Sequence, residues 1–115
     1  MKVTGIGGVF FRAKDPAVLS DWYEKHLGIN GMEWVQQQGQ TVFAPFPADT
    51  DYFGSEAQKF MLNFRVDDLD SMLKQLRTDN VKVVKDVEEQ AGVGRFASIE
   101  DPEGNRIELW APSDE

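Results

Sequence analysis

Residues 101–110 read DPEGNRIELW. Pro102-Glu103-Gly104-Asn105 is turn chemistry, because proline, glycine and asparagine suit the backbone angles of a tight reversal. Arg106 to Trp110 then reads as a strand, whose alternation puts Glu108 on one face together with either Arg106 or Trp110. Before it, Val81 to Lys85 and Phe96 to Glu100 are also strand-like, so the last third of the chain is expected to be mostly sheet.

Further back, Phe60 to Val66 (FMLNFRV) leads into Asp67-Asp68, followed by Leu69, Met72, Leu73 and Leu76 at helical spacing before Asn80. The pattern is strand, cap, helix. It has a counterpart near the start: Ile6 to Ala13 (IGGVFFRA), then Asp15-Pro16, then Val18, Leu19, Trp22, Tyr23 and Leu27 before Gly28. Asp15 can cap the helix, Pro16 suits its first turn, and Gly28 suits the left-handed position that ends it. Phe11/Phe64, Arg12/Arg65 and Asp15/Asp68 all stand 53 positions apart, consistent with a duplicated unit. Met32 to Gln37, a Gln38-Gly39 turn and Thr41 to Phe46 follow the first helix. The order βαβββ therefore occurs twice, with Pro47 to Lys59 read as an ordered loop between the units.

Alternation within each opening strand separates two faces. Val9, Phe11 and Ala13 are expected against the first helix, and Leu62, Phe64 and Val66 against the second. Gly8, Phe10 and Arg12, with Met61, Asn63 and Arg65, then fall on the opposite face. Two sheets curved toward each other would enclose a cleft there.

A chain of 115 residues fits one domain, taken here as 1–115, with module one at about 1–53 and module two at about 60–112. Apolar residues at 41% and charged residues at 28% match an ordinary globular protein rather than a disordered one. Without cysteine there is no disulfide, thiolate metal site or cysteine nucleophile. A net charge of −8 with scattered basic residues argues against nucleic acid. The absence of a signal-like or membrane-length apolar run points to a cytoplasmic protein with no membrane partner.

Three stretches, GGVFFRAKDPAVLSDWYEKHLGI (7–29), FMLNFRVDDLDSMLKQL (60–76) and DPEGNRIELW, resemble the glyoxalase/bleomycin-resistance (vicinal oxygen chelate) superfamily over nearly the whole chain. The Asp-Pro-x-Gly-Asn turn before a strand with an inward Glu is the most specific of them. The resemblance implies an α+β fold in which two βαβββ modules form a U-shaped, partly open sheet, usually completed by homodimerisation. It also implies a metal cleft with ligands from the first and last strands of each module. By position those ligands fall at Gly8, near Pro45-Phe46, at Met61 and at Glu108. Only Glu108 can coordinate a divalent ion, and one carboxylate does not make a zinc, magnesium or manganese site. The expectation is therefore no cofactor, with a weakly held divalent metal as the alternative.

Glu108 is the candidate catalytic residue, read as a remnant ligand, a general base or a hydrogen-bond acceptor; the competing reading pairs it with Arg12, Arg65 or Arg106. Arg12 and Arg65 are candidates to grip a ligand carboxylate or phosphate, against a rim position paired with Asp15 and Asp68. Phe10, Phe43, Phe46, Met61 and Trp110 are candidate cleft walls, and Asn63 shares their face. Trp22 and Tyr23 read as core. His26, the single histidine, reads as a helix C-terminal cation outside the site. Tyr52-Phe53 either closes over the cleft or packs at a dimer interface. The favoured function is a small-molecule binding protein, with Phe10, Arg12, Phe43, Met61, Asn63, Arg65, Glu108 and Trp110 around an organic ligand. The alternatives are a metal-dependent lyase, isomerase or dioxygenase, and a structural or regulatory interaction domain.

Overall fold

Helix α1 runs Pro16–Leu27 and begins and ends where its local chemistry dictates. The Asp15 carboxylate accepts the Val18 N–H, Pro16 occupies the first turn, and Gly28 closes the helix in a left-handed conformation at φ 70°. Helix α2, Leu69–Thr78, starts the same way, with Asp68 accepting from the backbone and hydroxyl of Ser71. The computed structural model describes residues 1–114.

Four strands form one mixed sheet: β1 (Leu62–Arg65), β2 (Lys82–Gln90), β3 (Gly94–Glu100) and β4 (Arg106–Pro112), in the order β1-β4-β3-β2. β1 lies parallel to β4, with Asn63 beside Glu108, while the other neighbours are antiparallel. Register irregularities between Val83 and Lys85 and between Lys85 and Glu88 bend β2, which continues to Gln90, past the Lys85 expected as its end. The second βαβββ unit is thus complete.

Alternation sorts this sheet as expected. Ala97, Ile99, Ile107 and Leu109 are buried with Leu69, Leu73 and Leu76 of α2 and with Leu19 and Tyr23 of α1. Phe64 and Val66 pack against that cluster. Each buried leucine contributes about 1.5–3 kcal/mol through apolar surface removed from water, so the face covered by the helices is where stability accumulates. The other face carries Asn63, Phe96, Glu108 and Trp110.

The turn at 101–105 ties the first unit to the second. Asp101 accepts from the N–H groups of Glu103 and Asn105 and from the Asn105 side chain, and the buried Tyr23 hydroxyl of α1 donates to it at 2.7 Å. Glu103 in turn accepts the backbone N–H groups of Lys14 and Asp15, at 2.7 and 3.0 Å. The most specific motif in the sequence is therefore a clamp on the entry to α1.

The first unit departs from expectation in its strands. Ile6 to Ala13, Met32 to Gln37 and Thr41 to Phe46 take part in no ladder among the described residues. A strand exists by cross-strand hydrogen bonds, and these segments make none to the sheet. Phe11 and Ala13 still dock against the core, with the Phe11 ring edge-on to Tyr23 at 6.2 Å. Phe10, Val35 and Phe43, by contrast, are 97%, 89% and 88% exposed.

Candidate ligand cleft

Glu108 projects from β4 on the face away from the helices and is 7% exposed. Oε1 accepts from Asn63 Nδ2 at 2.6 Å, and Oε2 accepts from the Tyr52 hydroxyl. Parallel pairing of β1 with β4 produces the first contact by placing residues 63 and 108 side by side. A loop produces the second. The Gln58 side chain pairs with both backbone groups of Arg106, donating to its carbonyl at 2.9 Å and accepting its N–H at 2.8 Å. Arg106 Nη1 donates to the Tyr52 carbonyl at 3.3 Å. Together these hold Tyr52 over the acid.

Burial, followed by the hydrogen bond to Glu108 and the nearby carboxylates, raises the pKa of Tyr52 well above the ordinary tyrosine value. Tyr52 is therefore a phenol donor at neutral pH. Phe46 stacks on it with ring centroids 5.7 Å apart, Phe53 adjoins Phe46, and the Lys85 ammonium lies 4.7 Å from the Tyr52 ring centre. Beside this group Phe96 and Trp110 stack at an interplanar angle of 2°, and Trp110 Nε1 donates to the Val93 carbonyl at 3.0 Å. A cleft of about 560 Å³ opens among Phe46, Tyr52, Phe96, Glu88, Glu89 and Glu108. Apolar walls with a few directed polar groups are the usual make-up of a small-molecule site.

The residues singled out by alternation separate into three groups. Asn63, Glu108 and Trp110 come together at this face, with Met61 half-buried just before β1. Arg65 is engaged elsewhere: its guanidinium donates to the carbonyls of Gln37 and Gln40 and lies against Gly39 of the same turn. Phe10, Arg12 and Phe43 are exposed on segments outside the sheet. Neither Arg12, Arg65 nor Arg106 forms an ion pair with Glu108 among the described residues, where neutral donors take that place. Asp15 and Asp68 cap helices and do not pair with the arginines. His26 lies apart from the cleft, against Trp22, with Nδ1 3.5 Å from an Asp79 oxygen.

The sequence pattern leaves Tyr52 between two roles and does not mark Phe96, Gln58 or Lys85 as part of the site. Phe96 was open to discovery, since it shares a strand and a face with positions already weighed. Tyr52 and Gln58 were not, because no periodicity governs an irregular loop.

A divalent ion does not fit this donor set. The positions where the resemblance implies ligands are Gly8, the neighbourhood of Pro45-Phe46, Met61 and Glu108, and both Glu108 oxygens accept hydrogen bonds from neutral groups. No group of three or more His, Cys, Asp or Glu suited to a metal occurs among the described residues. Such ions need several anionic or imidazole donors.

Two helices on one face of an open mixed sheet, with a buried acid in the last strand of the other face, define an α+β protein of the glyoxalase type. The chain belongs to the Glyoxalase/Bleomycin resistance protein/Dioxygenase superfamily, whose family profile matches residues 5–109. Among solved structures it is similar to TnmS3, an antibiotic binding protein from Streptomyces sp. CB03234, at 25% identity and TM-score 0.66, covering 98% of this chain and 99% of that one. It is also similar to a glyoxylase/bleomycin resistance protein/dioxygenase domain from Frankia sp. EAN1pec, at 17% identity and TM-score 0.66, covering 97% and 100%. TioX from Micromonospora sp. ML1 shares the fold at 13% identity and TM-score 0.57, covering 88% and 93%. Comparison with curated proteins gives no match. No helix of the described residues is long and apolar enough to cross a membrane.

Proposed function

We propose that the chain is a small-molecule binding protein that holds an organic ligand in the cleft beside Glu108 and does so without a metal. The observation that carries this reading is the combination of an aromatic cleft of about 560 Å³ with a buried carboxylate whose oxygens are oriented by Tyr52 and Asn63. Each carboxylate oxygen can accept two hydrogen bonds, so Glu108 keeps acceptor capacity for a ligand. The likeness to the antibiotic-binding TnmS3 supports an organic molecule as cargo.

We further propose that the working form is a homodimer in which first-unit strand segments of one copy complete the sheet of the other. Among the described residues, fourteen of the fifteen large apolar side chains that stand exposed precede residue 61, and all of those but Val18 lie outside α1. The sheet edges at β1 and β2 are open to receive strands. In that assembly Phe10 and Phe43, exposed in a single chain, would be covered by the partner.

A thermal-shift screen with flat aromatic compounds, antibiotics among them, tests the binding reading. Binding restricted to the native state raises the melting temperature by mass action, by an amount that grows with ligand concentration. The reading expects such a shift in the wild type and its loss in Phe96→Ala, which removes one wall. A panel giving no shift in a folded protein would overturn it.

A further inference from the structure

We infer that the ligand of this cleft is an organic cation, a flat aromatic body bearing a protonated amine, with Glu108 as its counter-charge. This rests on the binding reading above and concerns only the class of ligand. Glu108 is nine-tenths buried, yet among the described residues it belongs to none of the ion pairs, which join His26 to Asp79, Arg77 to Asp86, Lys82 to Glu100 and Arg95 to Asp70. Taking a carboxylate out of water is costly, and neutral hydrogen bonds recover only part of that cost, whereas an opposite charge recovers more. A cationic ligand would supply the missing partner.

The surroundings favour the same sign of charge. Glu88 and Glu89 line the cleft with Glu108, and no lysine or arginine is among its walls. Two basic groups lie close by, and among the described residues neither forms an ion pair with the acid. Lys85 rests over the Tyr52 ring, and Arg106 is turned to the Tyr52 carbonyl. Lys85 also shows that the aromatic wall already accepts an ammonium group, the attraction of a cation for the negative face of a ring. The ring pairs Phe46–Tyr52 and Phe96–Trp110 offer flat surfaces for a planar body.

Isothermal titration calorimetry with two probes of one ring system tests the inference: 9-aminoacridine, cationic at neutral pH, and acridine, neutral there. The wild type is expected to bind the cation about tenfold or more tightly than the neutral ring, equivalent to about 1.4 kcal/mol. Glu108→Gln is expected to bring the ratio close to one. Glu24→Gln, which removes an exposed charge on α1, is expected to leave the ratio unchanged and so separates the cleft from the general field of an acidic protein. If Glu108→Gln does not fold, the Glu88→Gln/Glu89→Gln variant at two exposed positions should lower the ratio severalfold. Equal binding of both probes by the wild type, or a ratio that survives these cleft variants, overturns the cationic ligand and leaves the binding reading intact. Failure of both probes to bind, together with a blank thermal-shift panel, overturns both.

Discussion

Asp101 gathers four hydrogen bonds, from Tyr23, from the N–H groups of Glu103 and Asn105, and from the Asn105 side chain. Tyr23→Phe removes one donor and leaves the carboxylate with three, so its cost should sit near the lower end for a bond to a charged group, about 1–2 kcal/mol in urea unfolding. Asp101→Ala leaves all four donors without their acceptor and should cost more than Tyr23→Phe in the same assay. The chain has two tyrosines, and both hold their protons above the ordinary value. Burial is the largest cause in each, reinforced by a carboxylate that accepts from the hydroxyl. A raised folded-state pKa binds the proton more tightly than the unfolded chain does. The contribution is complete below the unfolded tyrosine value of about 10 and is lost as pH rises past it toward the folded values. Alkaline titration followed by tyrosinate absorbance should therefore show little ionisation at the ordinary value, then a steep rise that coincides with loss of circular dichroism. A smooth, independent titration of either tyrosine near its ordinary value would refute its burial.

Helix ends were legible in the sequence because their causes are local. Asp15, Pro16 and Gly28 bracket α1, and Asp68 opens α2, each acting within a turn of its own position. Two of the second-unit strands were legible for a similar reason, since the runs Phe60 to Val66 and Arg106 to Trp110 contain β1 and most of β4, with Phe64, Ile107 and Leu109 toward the helices and Asn63 and Glu108 on the open face. The site was half legible. Period-two alternation put Asn63, Glu108 and Trp110 on one face, whereas Tyr52 reaches Glu108 through a loop clamped by Gln58, a pairing 56 positions apart that no local pattern encodes. The hairpin joining β2 to β3 shows how a residue type can be required by one element and merely preferred by its neighbour. At Gly94, φ is 134° and a Cβ would lie 2.2 Å from the Ala111 carbonyl oxygen. At Gly92, φ is 77° and nothing lies within 4 Å of a Cβ. Gly92→Ala should cost about 1–2 kcal/mol, the left-handed penalty alone. Gly94→Ala adds a backbone clash between β3 and β4 and should exceed that clearly, with loss of the Trp110 near-ultraviolet signal as its structural mark. Equal costs for the two variants would argue against this register.

At the scale of the whole molecule, the division between a finished half and an unfinished one sets the strongest expectation. The second unit has its core and its ladders, while the first contributes one helix and three segments many of whose apolar side chains face solvent. Chains seldom leave so much apolar surface uncovered, and the same sequence pattern that predicts strands in those segments predicts what would cover them. A second copy has matching segments and matching open edges, as a two-fold pairing requires. Multi-angle light scattering should therefore return twice the chain mass at micromolar concentration, and the melting temperature should rise with protein concentration, because association stabilises the folded form by mass action. Charge placed on the uncovered segments separates the cases. In an isolated chain Phe10→Glu and Phe43→Glu alter side chains that are almost wholly in water, and stability should stay within about 0.5 kcal/mol. In a paired dimer the same substitutions bury a carboxylate, and each should shift the mass toward a single chain and lower the melting temperature by several degrees. A wild-type mass of one chain, with both variants melting as the wild type does, would leave the first-unit segments unpaired in solution and overturn the strand-exchanged dimer.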